Sequence, residues 1–371
     1  MMEQTPFLVL TNIVVVFILY LLTKPAYRGV QISPARRSVS MLLILLFCLY
    51  SFWGKDWFGY LSYYEEIERG GVVSSLEDVY NWVGGFCPSY VIFRLVIWGP
   101  ALFFFFKTTK RLSLDRDTVL FFFCSIYLIW FSYARVSLAM AVIFYGYSLM
   151  YSSRKRFDLK YIFGILLILA SFYLHKSSIF AIVVVLASEL LKRWGKAGII
   201  LPIIISPVAI IIAMDQFGNF VDSLVANEAN VMNEYATAGN AYLNSDSYIA
   251  GPGVLLQWFF ERAPYYLLSF ICIRVIWSDD RRVSPDIKPY MLLLFLLVLT
   301  ATAFLFDFGL NTTTLYGRFI RYAQIPACIV LSHLYTEKIY PKFTKFTCWL
   351  AIVGTAYSLL YVMYNANAAY H

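Results

Sequence analysis

Long apolar stretches recur along the whole chain, separated by short polar segments. Most are close to the roughly 20 residues that a helix needs to cross a bilayer. Twelve spans are predicted, at about 7–23, 38–53, 89–106, 118–134, 136–151, 161–174, 177–191, 199–214, 253–277, 289–306, 319–335 and 347–364. Two of the boundaries need an argument. Residues 118–151 would be about 51 Å long as one helix, far more than one crossing needs. The flanks 107–117 and 152–160 are both rich in Lys and Arg, and the positive-inside rule puts both on the cytoplasmic side. The segment must therefore cross twice, with a tight outer turn near Arg135. The same reasoning folds 161–191 back near His175 and Lys176, because 192–198 is also basic.

With those two turns the charges sort without conflict. The basic segments 24–37, 107–117, 152–160, 192–198, 278–288 and 336–346 fall on one predicted side. The two long loops, 54–88 and 215–252, fall on the other. The first carries only Lys55 and Arg69 as basic residues. The second carries none, but has Asp215, Asp222, Glu228, Glu234 and Asp246. Both termini are expected outside. The first apolar run has basic residues after it and none before it, which favours a retained helix over a cleaved signal. The expectation is one all-α, polytopic transmembrane domain over residues 1–371.

Composition agrees. Of the 371 residues 60% are hydrophobic and 14% charged, against about 25% charged in soluble domains. The net charge of +8 is explained by loop topology, so nucleic acid is not an expected partner. The six Cys form no CxxC pair and no metal-ligand spacing, so neither a disulfide framework nor a zinc site is expected. No Walker loop, GxGxxG, HExxH or nucleophile elbow occurs, so neither ATP hydrolysis nor metalloprotease chemistry is expected.

The candidate chemistry lies in the few cations at the outer side, since charge near hydrocarbon is kept mainly for a function or a partner. Arg318 and Arg321 open the eleventh span three residues apart, on one helix face, and Arg suits bidentate phosphate contacts. Arg135 stands alone at its turn, with nothing nearby in sequence to pair with it. His175, followed by Lys176, accompanies these cations. A His there serves as a proton acceptor, a phosphate ligand or a structural donor. Asp56, in Gly54-Lys55-Asp56-Trp57-Phe58-Gly59-Tyr60, pairs a carboxylate with aromatics, a common way to hold a sugar. Glu65, Glu66 and Glu68 are expected on a solvated face. Glu261 and Arg262 lie inside the ninth span, where Arg262 is a candidate for the same anion site, and Arg94 in the third span is a weaker one. A lipid-linked pyrophosphate is the anion this arrangement suits.

Taken together, these motifs resemble those of EpsG-type, Wzy-like polysaccharide polymerases. The resemblance rests on Gly54-Lys55-Asp56 through Tyr60 and Tyr64, on Ala134-Arg135-Val136-Ser137-Leu138-Ala139, on His175-Lys176-Ser177-Ser178 and on Arg318 through Tyr322. Order and spacing agree over nearly the whole chain. In one place it departs: such sequences often have a Glu before a Gly-Phe pair in the first outer loop. Here Val83-Gly84 precedes Gly85-Phe86, so no role is carried over for that Glu. The resemblance implies a GT-C-like glycosyltransferase with about twelve spans, needing neither metal nor cofactor. It would use undecaprenyl-diphosphate-linked oligosaccharide as donor and acceptor, outside the bacterial cytoplasmic membrane. Membrane lipids, a chain-length regulator and a flippase of the same pathway are the implied partners. His175 and Asp56 become the candidate catalytic residues. Arg135, Arg318, Arg321, Arg262, Lys176 and Tyr60 become the candidate pyrophosphate and substrate ligands. Two other readings share the span count. A flippase needs charges through the depth of a cavity open to both sides, and the outer position of these cations disfavours it. A ligase differs only in its acceptor.

Overall fold

A computed structural model describes residues 6–50, 56–73, 76–131, 134–152, 158–205, 252–303 and 319–368. The described residues are helical, with no strand among them. In chain order the helices are α1 (Pro6–Tyr27), α2 (Pro34–Tyr50), α3 (Asp56–Glu68), α4 (Asp78–Phe86), α5 (Tyr90–Arg111), α6 (Arg116–Phe122), α7 (Leu128–Phe131), α8 (Ala134–Ser152), α9 (Leu159–Leu174), α10 (Ser178–Leu191), α11 (Pro252–Ser278), α12 (Lys288–Ala303), α13 (Gln324–Thr336) and α14 (Pro341–Ala368). A π-helical turn, Phe123–Tyr127, joins α6 to α7. The start signals are local. Pro opens α1, α2, α11 and α14, where its missing N–H costs nothing. Asp115 caps α6 by accepting from the Thr118 backbone N–H at 2.7 Å.

Four helical segments are long and apolar enough to cross a membrane: Leu10–Tyr27, Tyr90–Arg111, Ala134–Tyr151 and Pro341–Tyr361. Leu159–Leu174 and Lys288–Thr302 are shorter apolar helices. Their outward faces carry what a soluble protein would hide. Phe17 and Leu21 on α1, Phe163 and Leu166 on α9, and Val183 and Leu190 on α10 are all exposed. Contiguous apolar surface of this kind marks contact with lipid. At the centre, every residue of α13 from Gln324 to Leu334 is buried.

The predicted fold-back near His175 is present as a helix break. Helix α9 stops at Leu174 and α10 starts at Ser178. Near the far end of α8, Gly146 meets Gly164 of α9 while Tyr147 hydrogen-bonds Ser188 of α10 at 3.0 Å. The two helices therefore run back on each other. Helix α7 is described to Phe131 and α8 from Ala134; the other predicted turn, near Arg135, falls on residues 132–133, outside the described residues.

The basic segments gather at one end of the bundle through direct contacts. Arg37 grips Asp117 (Nη2–Oδ1 2.8 Å). Arg111 donates to the Ser148 carbonyl at 3.4 Å. Lys192 lies 4.2 Å from the Tyr151 ring centre and Lys196 5.0 Å from that of Trp277. Arg274 sits over Tyr340, and the Ser284 N–H meets His333 Nε2 at 3.3 Å.

Elsewhere the structure departs from the sequence expectations. The segment 54–88, expected as an outer loop, is largely helical, as α3 and α4. The expected eleventh span is interrupted: residues 322–323 form a turn before α13 begins. Arg94 is not an outer anion ligand. It is buried in α5, where it donates to the Cys48 carbonyl at 2.5 Å and to the Tyr90 hydroxyl at 3.2 Å, tying α5 to α2. The acidic segment 215–252 lies outside the described residues apart from Pro252.

The α8–α9 crossing is tight because both partners are glycine. A Cβ on Gly146 would stand 2.6 Å from the Gly164 carbonyl oxygen, and the reverse contact is the same. Small residues let membrane helices approach this closely. Gly146→Ala should therefore lower the thermal midpoint of the purified protein, through an overpacking cost of about 1–3 kcal/mol. Gly99→Ala, whose added Cβ would meet only Leu95 at 4.0 Å, should not; equal midpoints would contradict the close crossing.

Candidate functional site

At the end of the bundle opposite the basic loops, three separate turns meet at one carboxylate. Glu77 immediately precedes α4, in the N-cap position, with extended backbone angles (φ −64°, ψ 142°). An acid there usually caps its own helix. This one makes no side-chain cap and reaches across instead. Its Oε2 lies 2.7 Å from Arg135 Nη1, at the start of α8. Its Oε1 lies 3.0 Å from His175 Nδ1 and accepts the Lys176 backbone N–H at 3.2 Å. Arg135 also donates through Nε to the Tyr60 hydroxyl of α3 and stacks over the Tyr60 ring.

The neighbours hold Glu77 in that position. Asn81 clamps the preceding strand of chain by accepting from the Val73 N–H at 2.9 Å and donating to its carbonyl at 3.0 Å. The Tyr80 hydroxyl donates to the Leu174 carbonyl at 2.8 Å, fastening α4 to the end of α9. The Tyr64 hydroxyl donates to the Cys87 carbonyl at 2.8 Å and ties α3 to the end of α4. His175 is the C-cap of α9, in extended conformation. Its carbonyl accepts the Ser178 N–H at 2.8 Å, which shapes the turn into α10. Ser177 in that turn meets the Tyr322 hydroxyl at 3.0 Å.

The electrostatics follow from this geometry. Burial opposes the Glu77 charge, but the hydrogen bond from His175 and the charge of Arg135 outweigh it. The charge of His175 and the hydrogen bond from Arg135 add to them, and the carboxyl is held down to about 2. Glu77 is thus ionised at neutral pH although buried. A carboxyl depressed on folding stabilises the native state above its unfolded value, and that contribution fades as pH falls through the folded one. The Glu77 contribution, on the order of 3 kcal/mol, should be complete above about pH 4.5 and lost towards pH 2. The stability difference between wild type and Glu77→Gln should accordingly shrink as pH falls from about 4.5 towards 2. A difference that grows in acid would contradict the pairing.

The structure thus brings together Tyr60, Arg135, His175 and the Lys176 backbone around Glu77. Arg135 has no partner nearby in sequence; its partner comes from 58 residues earlier in the chain. Arg321 is half-buried and next to Tyr322. It lies within electrostatic reach of Tyr265, as does Glu261, whose carboxylate accepts from Ser358 at 3.1 Å. Arg262 is half-buried beside Glu261 in α11. Arg318 and the Asp56 side chain lie outside the described residues. Glu65, Glu66 and Glu68 are exposed, as expected of a solvated face. Among the described residues no group of three or more His, Cys, Asp or Glu could hold a metal ion.

A family model now decides the relationship, matching residues 35–371 of the chain. The chain belongs to the EpsG family. This is a family of Wzy-like polysaccharide polymerases. Neither a curated protein nor a solved structure matches significantly. All of the Glu77 cluster falls inside the matched region. In this EpsG-family chain Glu77 is the residue that sequence reasoning missed. Ser74-Ser75-Leu76-Glu77 reads as an ordinary helix start, and nothing local marks its carboxylate for another use. The only available signal was the demand of Arg135 for an acid.

Proposed function

We propose that this chain polymerises undecaprenyl-diphosphate-linked oligosaccharide units, with the Glu77 end of the bundle facing outside the cytoplasmic membrane. Family membership supports a polysaccharide polymerase or related glycosyltransferase. The observation that carries the site is the convergence of Glu77, Arg135 and His175 from three distant turns. The basic loops at the other end favour that end as cytoplasmic.

In the proposed reaction an acceptor hydroxyl attacks the anomeric carbon of the donor sugar in line, with inversion. The new C–O bond forms as the bond to the lipid pyrophosphate breaks, and that group leaves with the electron pair. Ionised Glu77 holds His175 by its Nδ1–H. In a neutral ring this leaves the Nε2 lone pair to take the hydroxyl proton. The imidazolium that results is stabilised by the same carboxylate. Arg135, Lys176, Arg318 and Arg321 are the groups assigned to the developing pyrophosphate charge, and Asp56 and Tyr60 to the sugar. Arg262 is assigned to the rim of the anion site. Because Glu77 offsets one positive charge, the site is less cationic than its Arg and Lys residues alone imply.

The test compares the glycan of cells with and without the protein. Loss of polymer with survival of a single capped unit is expected. Survival of full-length polymer would overturn the proposal, and loss of every outward-exposed unit would favour a flippase.

A further inference from the structure

A cavity of about 670 Å³ opens at the end of the bundle opposite Glu77, within the 300–1,000 Å³ range of small-molecule sites. It lies where the end of α1, the start of α6 and the α13–α14 turn meet. Its floor is rigid: Tyr335 stacks on Tyr27 with ring centres 5.2 Å apart and donates its hydroxyl to the Tyr27 carbonyl at 2.5 Å. Its charges are unbalanced. Asp117 on its wall is already neutralised by the bidentate grip of Arg37 and accepts the Ile32 N–H at 2.9 Å. Asp115 caps α6. Arg28, Lys338 and Lys345 also line the cavity, and their side chains have no carboxylate partner among the described residues.

Lys338 adds a separate observation. It follows the C-cap of α13 with φ at +51°. The Ile339 N–H bonds back to the Leu334 carbonyl at 2.9 Å and the Lys338 N–H reaches the Tyr335 carbonyl at 3.3 Å. In this helix-ending turn glycine is the favoured residue at that position, and a side chain there is strained. Ser113 and Asp279 end helices in the same conformation, and glycine can replace Lys338 there without strain.

We propose that this cavity binds a phosphate-bearing ligand through Arg28, Lys338 and Lys345. The ligand is either the headgroup of an anionic phospholipid in the adjoining leaflet or a soluble phosphate compound. Basic pockets between membrane helices at a bilayer surface take such headgroups, and the start of α14 adds its positive dipole end beside Lys345.

The experiment uses the purified full-length protein. Its probes are phosphatidylglycerol against phosphatidylcholine, read as lipid retained in native mass spectrometry, and glycerol 3-phosphate, read as a shift in thermal midpoint. Combined Arg28→Gln, Lys338→Gly and Lys345→Gln should weaken the preferred probe about a hundredfold, at about 1 kcal/mol per cation. Lys338→Gly alone should weaken it less while leaving the unliganded midpoint equal or higher, which separates lost binding from lost folding. An effect on phosphatidylglycerol alone assigns a lipid headgroup, and one on glycerol 3-phosphate alone assigns a soluble ligand. Responses to both probes equal to wild type in both variants would overturn the proposal. Neither readout depends on polymerisation.

Discussion

Glu77→Gln should reduce polymerisation by about 10²–10⁴-fold while the protein still inserts and folds. The range is that of a positioned general base deprived of the group that orients it. Gln matches the shape of Glu but carries no charge. It leaves the imidazolium formed at His175 without its counter-charge, and it leaves Arg135 unneutralised 2.7 Å from where Oε2 stood. Glu77→Ala should be as inactive and less stable, because breaking a buried pair from one side costs about 3–5 kcal/mol. The rate of glycan elongation by purified variants, with thermal midpoints measured alongside, checks both. Near-normal elongation by Glu77→Gln would remove the carboxylate from the mechanism and reduce it to a structural tie.

Arg135 should tolerate neither loss nor a change of shape. Arg135→Ala is expected to lower turnover by about 10²–10³-fold, the usual cost of removing one donor aimed at developing negative charge. Arg135→Lys is the more informative variant. The guanidinium reaches the Tyr60 hydroxyl through Nε and Glu77 through Nη1 at once. An ammonium is a point charge without that fork, so at least a tenfold loss is expected. If Arg135 merely anchored the helix end to lipid headgroups, Arg135→Lys would match wild type. Kinetics over a range of lipid-linked substrate separate the two, since the proposed role lowers turnover and an anchor leaves it unchanged.

How far the site could be read from the sequence depended on which cost each residue advertised. Arg135 and His175 stood out because charge and polarity beside long apolar runs are expensive. The flanking Lys and Arg residues then placed both at one end of the bundle, where the structure has them meet on Glu77. Tyr60, Tyr64 and Ile67 are buried on one face of α3, a 4-and-3 spacing visible in the sequence but absorbed into a loop. Glu77 advertised nothing. Its partners lie 58 and 98 residues away, and a carboxylate just before a helix is locally unremarkable. Arg94 shows the reverse error: a cation in an apolar run whose partners are a backbone carbonyl and a tyrosine. Cost identifies a residue that needs partners; only the fold distinguishes ligand from helix tie.

The central claim is that a hydroxyl attacks at Glu77, Arg135 and His175 and a lipid pyrophosphate leaves. It is tested most directly by giving the purified protein lipid-linked repeat units alone and counting both products. A ladder of longer glycans is expected, with one undecaprenyl diphosphate released per bond formed, and with both products lost together in Glu77→Gln. Release of lipid pyrophosphate without any ladder, or an undiminished ladder from Glu77→Gln, would contradict it.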